Sequence, residues 1–569
     1  MASGKRPILM GDFETTTGKN LEIEGCTRVW LWALCDVERA ETVFDVELGF
    51  TLDSFMARIQ EKSIVLYFHN LAFDGSFIID WLFNHGYWHT TEQHPVKGAF
   101  ATLISFAGKF YSIKIKFDNG SSVELRDSLK KLPMSAANVA EAFKLPETKG
   151  KLDHDVYRPI GYRPTLAERE YVAKDVLIVA KALRQQFASG MKKLTIGSDA
   201  LTEYKSIIGK RMWDKMFPVL PDATDADIRM AYRGGFTYAD PRFSRKRTGG
   251  GVVFDVNSLY PYIMYVKELP YGEPKYFPVA PDMNDENYPL HIMNITFVAK
   301  LKKNHIPCIQ VKGSSHFINT EYQRHIKEPV TLMVTNVDLA LWQEHYNLEI
   351  LSYNGGWSFR SRRQLFKEYI DKWMEVKANS KGGLRTIAKL MLNSLYGKFA
   401  TNPNITPKIP VFEDGVVKLV MGEEDTRDPV YTPMGVFITA YARDLTIRAA
   451  QQHYDIFAYA DTDSLHLVTD KEPDTLDIDP DKLGAWKREY RFTEALYIRA
   501  KQYVEKIEWR GVPFVLDVYE THIAGLPVDV AAKVTIDDVI NGAHFDGKLS
   551  PKRVPGGIVL TDVGFTLTV

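Results

Sequence analysis

The sequence predicts an α/β domain followed by a larger α+β region. Three observations carry this. Over roughly the first 195 residues strand-like apolar runs alternate with helical stretches. Further on, two β-rich runs about 200 residues apart each end in acidic residues, and a basic helical pair lies between them. At ~100 to 200 residues per domain, 569 residues make about three to five domains, and 45% hydrophobic content supplies several packed cores.

Composition excludes several classes. The 71 Lys+Arg against 72 Asp+Glu leave a net charge of −1, so any nucleic-acid face has to be local. Three cysteines without a CxxC or Cys/His cluster make neither a disulfide framework nor a structural zinc site, which favours a reducing compartment. Apolar runs fall far short of the ~20 residues a membrane span needs, so a soluble protein is expected. There is no internal repeat or low-complexity tract.

Taken in order, residues 8–10, 29–34, 64–68 and 111–115 read as strands and 166–187 as a helix. A second region starts near Gly197, with a strand at 251–255 that meets a loop at Asn257-Ser258. A helical pair is expected over 362–377 and 384–398, because Gly382-Gly383 suits a helix stop and tight reversal. Asp414-Gly415, between two β-rich runs, marks a two-residue hairpin turn and a protruding ribbon near 404–425. A second hairpin, over 455–469, carries Asp461-Thr-Asp463 at its tip. Charge is uneven: 358–408 holds 11 Lys/Arg against 3 Asp/Glu, whereas 469–482 holds six acids and two lysines, so the first stretch can face phosphates.

Two carboxylate sets carry chemistry. Asp12 and Glu14 stand at i, i+2 on a strand, where both side chains share a face and repel unless a cation joins them. With Asp74 after the third strand and Asp175 one helical turn beyond Tyr171, they could hold two Mg²⁺ ions and hydrolyse a phosphodiester. Any single Asp is more often a turn former or a solvated charge; the ordered set is what argues for a site. In the second set, Asp461 and Asp463 at a hairpin tip need only Asp255 alongside to form another two-metal site, suited to phosphoryl transfer by positioning and electrostatics.

The helix after the glycine pair supplies a cationic stripe. Arg385, Lys389, Asn393 and Tyr396 fall at about 0, 40, 80 and 20 degrees, while Leu384, Ile387, Met391, Leu392 and Leu395 fill the core arc. Over about 16 Å the stripe runs from cations to an amide and a ring, which matches a nucleoside triphosphate.

Asp255-Val-Asn-Ser-Leu-Tyr-Pro261, Lys389-Leu-Met-Leu-Asn-Ser-Leu-Tyr-Gly-Lys-Phe399 and Tyr459-Ala-Asp-Thr-Asp-Ser464 resemble motifs A, B and C of family B DNA polymerases, in that order. Thr439-Ala-Tyr-Ala-Arg443, Lys501-Gln-Tyr503, Tyr232-Arg-Gly-Gly235 and Ser128-Leu-Lys-Lys-Leu132 resemble further motifs of that family, and the DxE, N-x3-D and Y-x3-D elements resemble DnaQ-like proofreading exonucleases. Ala442 stands where the wider family has Gly. Compact size, the ~90-residue spacer after motif A and the hairpin after motif B narrow the resemblance to the protein-primed branch and to phi-29-like phage enzymes.

The resemblance implies an RNase H-like (DnaQ-like) exonuclease domain over 1–196 and a right-hand polymerase: palm at 197–267 and 432–528, fingers at 363–400 and thumb at 529–569. Insertions at 268–362 and 401–431 would grip a priming terminal protein and encircle DNA. It also implies two Mg²⁺ per site, with Mn²⁺ as a substitute, held by Asp255, Asp463 and the Val256 backbone, with Asp461 in support, and by Asp12, Glu14, Asp74 and Asp175. Tyr171 would orient the attacking water and Lys149 assist. Arg385 and Lys389 would bind the triphosphate, Tyr260 would stack under the sugar, and Tyr396 and Asn393, with Lys377 at the helix turn, would shape the nucleotide pocket. Tyr232, Arg233, Gly234 and Arg443 would meet the template, and Lys501 and Tyr503 the primer. Asn70, Phe73, Phe77, Ser128 and Leu129 would take the frayed 3′ end. The expected partners are primer-template DNA, dNTPs and the priming protein. The expected setting is the cytoplasm of a phage-infected bacterium, and the enzyme a monomer capable of strand displacement. The alternatives are a polymerase extending only nucleic-acid primers and an inactive nucleic-acid-binding scaffold.

Overall fold

The structure, a computed structural model, describes residues 6–154, 156–312, 321–510, 518–526, 528–540, 542–554 and 557–567. Parts of the expected 1–196, 268–362, 432–528 and 529–569 segments therefore lie outside the described residues.

The N-terminal strands form one mixed eight-stranded sheet. Strand Ile8–Thr15 lies between Val29–Asp36, antiparallel, and Ile64–Phe68, parallel. Both faces of this strand are largely buried, as its near-continuous apolar run requires. Helix Leu166–Ala188 packs over Ile8–Thr15 and Val29–Asp36. It starts in a capping box, in which the Thr165 side chain accepts from the Glu168 N–H and Glu168 accepts from the Thr165 N–H.

A second sheet is antiparallel, with Gly251–Val256 between Trp486–Arg499 and Ser464–Leu467, and Phe457–Asp461 beyond. Gly251 is required there, because an added Cβ would run into the Leu467 carbonyl and the Phe492 ring. Helix Thr432–Gln452, buried along much of its length, backs this sheet. The 268–362 segment builds its own four-stranded sheet, in the order Leu269–Phe277, Tyr346–Arg362, Leu290–Leu301, His325–Thr335.

The helical pair differs from expectation at both ends. Residue 362 ends the strand Tyr346–Arg362, and the first helix is Lys367–Asn379. Trp357 and Phe359 continue the strand into the core, and Gln364, at φ 59°, breaks the chain before the helix. The second helix is Gly383–Ser394, with Tyr396–Phe399 as a separate turn. Ile387, Met391, Leu392 and Leu395 are buried, but Leu384 is 47% exposed, because it sits in the first turn beyond the reach of the core.

The ribbon forms as expected, with Asp414 and Gly415 both at positive φ between Lys408–Glu413 and Val416–Met421. It does not protrude freely. Phe412 stacks on Phe83 at 5.4 Å, and Val417 is buried in the N-terminal core. The C-terminal hairpin His544–Val554/Gly557–Thr566 also reaches back, with the Thr27 N–H donating to the Ile558 carbonyl at 2.8 Å. One continuous core joins Val176 and Phe143 of the first domain to Ile387 and Met391 of the helical pair and to Ile438, so the second region is seated on the first. Among the described residues no helix is long and apolar enough to cross a membrane. All three cysteines are free.

Candidate functional site

The first carboxylate set comes together on an interior strand of the N-terminal sheet and the helices beside it. Asp12 and Glu14 project from the Ile8–Thr15 strand, Asp74 from the first turn of helix Leu71–Asn84, and Asp175 from helix Leu166–Ala188. Burial and then the charge of Asp175 push the Asp12 carboxyl up to about 7. Glu14 and Asp74 rise through burial first and through Asp12 second. Asp175 is raised by burial, although Lys149 Nζ lies 3.2 Å from its carboxylate and the Tyr171 hydroxyl donates to it. Asp74 Oδ1 and Asp175 Oδ1 are buried without a hydrogen-bond partner. Such a repelling, under-satisfied set fits hard cations, for which carboxylate oxygens are the natural ligands.

The second set lines a cavity of about 540 Å³. On its sheet side the antiparallel register sets Asp255 opposite Ser464, and the Val256 N–H donates to the Asp463 carbonyl at 2.9 Å, fixing Asp463 beside Asp255. Burial and then Asp463 push Asp255 up to about 8; Asp463 is raised by burial. Opposite stand Arg385, Lys389, Asn393 and Tyr396, with Lys377 from the preceding helix. Arg385 donates to the Lys377 carbonyl at 2.7 Å, which ties the two helices together at the glycine turn. Tyr260 stacks on Tyr396 with centroids 3.7 Å apart, at the end of the stripe expected to take sugar and base. Asp461 lies beside this cavity, where it pairs with Lys501 and accepts from Thr237 at 3.1 Å. Among the described residues no three or more acidic, His or Cys side chains stand close enough together to hold a metal ion as they are placed.

Several expected nucleic-acid contacts are not at a surface. Arg443 is buried in a bidentate pair with Asp338 and also donates to the Arg233 and Gly234 carbonyls, at 2.6 and 2.8 Å. Arg233 is buried and donates to the Met333 carbonyl at 3.0 Å. Through these protein acceptors the two guanidiniums pin the 232–235 loop, with Arg233 Nε left buried and without a partner. Gly234 keeps open space around it, Tyr232 is half-buried, and Gly235 packs against Thr462 of the acidic tip. Ala442 is buried. Ser128 is fully buried, its hydroxyl donating to the Phe68 carbonyl, and Phe77 belongs to the core, leaving the half-buried Phe73, Asn70 and Leu129 nearer the surface. Tyr503 is buried between Tyr459 and His522, while Lys501 beside it is exposed.

Sequence reading missed Asp127, whose Oδ1 accepts from the N–H groups of Asn70 and Leu129 at 3.1 and 3.0 Å and so joins two of the expected 3′-end elements. It also missed Lys487 and Glu489, which line the second cavity from a strand distant in sequence. Only the pairing of Trp486–Arg499 with Gly251–Val256 reveals them.

Residues 56–163 and 161–480 match a family described as DNA polymerase type B, organellar and viral. The chain is 43% identical to the DNA polymerase of Bacillus phage phi29, with 99% of each chain covered. It is 42% identical to that of Bacillus phage B103 over 99% of this chain and all of the relative. The solved structure of phi29 DNA polymerase with primer-template DNA and incoming nucleotide substrates superposes with a TM-score of 0.90 at 41% identity, covering 99% of this chain and 100% of that one.

Proposed function

The chain belongs to the organellar and viral type B DNA polymerases, and from that premise we propose that the Asp255–Asp463 cavity extends DNA while the Asp12–Asp175 cluster proofreads it. The observation that carries this reading is the cavity with paired carboxylates on one wall and Arg385 and Lys389 on the other. In this reading the first domain is an RNase H-like exonuclease, the second antiparallel sheet the palm, the helical pair the fingers and the C-terminal hairpin the thumb.

Asp255 and Asp463 would hold two Mg²⁺ ions, with the Val256 backbone and Asp461 in support. When bound, such ions neutralise charge on the attacking oxygen and on the leaving group. Arg385 and Lys389 hold the triphosphate by charge-assisted hydrogen bonds, and Lys377 supports the turn they rise from. Tyr260 carries the sugar, Tyr396 and Asn393 flank the base, and Lys501 steadies the primer. In the other site, Asp12, Glu14, Asp74 and Asp175 would hold the ions, the Tyr171 hydroxyl orients the attacking water, and Lys149 balances Asp175. Phe73, Asn70 and Leu129 take the frayed 3′ end.

The partners are primer-template DNA, dNTPs and a priming protein that offers a hydroxyl, inside a phage-infected bacterium. The close relatedness to the phage enzymes and the two additional elements, the 268–362 sheet and the 401–431 ribbon, support protein priming and strand displacement. The test is incubation with Mg²⁺ and labelled nucleotide, on a DNA primer and on a candidate priming protein. Asp463→Ala is expected to abolish extension and spare 3′-end degradation, and Asp12→Ala to do the reverse. Equal extension by wild type and Asp463→Ala would sink the reading, and a protein that never becomes labelled would confine it to nucleic-acid primers.

A further inference from the structure

We propose that Lys487 is a phosphate ligand for the incoming nucleotide, reaching the cavity from the sheet side, opposite the helix that carries Arg385 and Lys389. This rests on the polymerase reading of the cavity. Lys487 is the register partner of Asp255 in the antiparallel pair. Cross-strand partners project to one face with Cβ atoms about 4.5–5.5 Å apart, so the strand delivers an ammonium beside the acid set. The pairing is irregular at the next step: Phe254 faces Arg488 and Val253 faces Tyr490, which leaves Glu489 unopposed. Such a bulge re-aims a side chain. Glu489 accepts from Lys487 Nζ at 2.6 Å, and both residues line the cavity with Asp255, Asp463, Arg385 and Lys389.

The pair is not a buried structural link. The Lys487 side chain is 42% exposed, and ion pairs at such exposure are worth about 0–1 kcal/mol, so a stronger acceptor displaces the partner readily. A triphosphate lying in the cavity is the stronger acceptor: Lys487 moves from Glu489 to a phosphate oxygen, and the Glu489 carboxylate is released toward Asp255 and Asp463. In the reaction the primer 3′-hydroxyl gives its proton to water, its oxygen bonds to the α-phosphorus, and the bond from that phosphorus to the α,β-bridging oxygen breaks. The electron pair leaves on pyrophosphate, whose charge Lys487 then shares.

The experiment measures single-nucleotide insertion by the full chain on a primer-template with Mg²⁺, against dNTP concentration, for wild type, Lys487→Met and Lys487→Arg. The apparent KM of Lys487→Met should rise about tenfold for all four nucleotides alike, the loss of one charge-assisted bond to phosphate rather than base. Lys487→Arg should restore KM to within about twofold, and degradation of single-stranded DNA should stay at the wild-type rate in both variants. A KM unchanged in Lys487→Met, an equal loss in both variants, or a parallel fall in degradation would overturn the proposal, the last by reporting a folding defect instead. Absence of extension by the wild type itself would fail the polymerase reading, a result distinct from wild-type extension with an unaffected Lys487→Met.

Discussion

Arg443 shows how far a side chain's chemistry depends on where the fold puts it. Its sequence neighbourhood resembles a template-contact motif, yet its guanidinium is enclosed with Asp338 and the carbonyls of Arg233 and Gly234. Burial alone would raise the Asp338 carboxyl; Arg443 beside it overrides burial and holds it below the ordinary carboxylate range. Removing one partner of a buried pair strands the other charge, so Asp338→Asn should cost about 3–5 kcal/mol in thermal or denaturant unfolding. Because the Asp338 value is depressed on folding, its contribution is complete above the unfolded carboxylate range near pH ~4 and is lost as pH falls through the depressed value. The wild-type advantage in Tm over Asp338→Asn should therefore shrink in acid; an advantage that grows there would refute the assignment. The 232–235 loop that Arg443 pins abuts Thr462, so extension should fall in this variant through displacement of the acidic tip.

Among the elements, the ribbon and the helical pair are where local signals and tertiary contacts divide the work. The Asp414-Gly415 turn sets the ribbon's register by itself, because both residues accept positive φ. Its direction is set elsewhere, by Phe412 stacked on Phe83 and Val417 inserted into the N-terminal core. An aromatic pair contributes about 0.5–1.5 kcal/mol beyond area burial, enough to hold a two-stranded ribbon in place. Phe412→Ala should thus leave insertion of the first nucleotide unchanged and shorten the products made before dissociation, scored in a single-binding-event extension assay; product lengths equal to wild type would mean the stack carries no function. In the helical pair, Gly383 lies against Phe143 and Gln185 of the first domain, where an added Cβ would meet Phe143 Cδ1 at 2.7 Å. The cationic stripe is thereby clamped to the first domain.

At the scale of the whole molecule, a chain of net charge −1 gathers its cations where phosphates would lie, with Lys377, Arg385, Lys389 and Lys487 on one cavity. The apparent KM for the incoming nucleotide should therefore rise with ionic strength in the insertion assay, as salt screens these charges; a flat response would contradict a local basic cavity.

Sequence alone determined the Asp12/Glu14 and Asp461/Asp463 pairs, the cationic stripe and the hairpin turns. Each depends on residues at i, i+2 or i, i+4 or on a dipeptide with a special φ preference, and that information is local. It also carried the motif order from which family membership follows. Only the tertiary structure decided which of these side chains face a cavity. The burial of Arg233, Arg443, Ser128, Phe77 and Tyr503, and the arrival of Lys487 and Glu489 beside Asp255, come from strand register and packing between segments separated in the sequence. Periodicity tells which face of an element a residue is on; it carries no information about which distant element will cover that face.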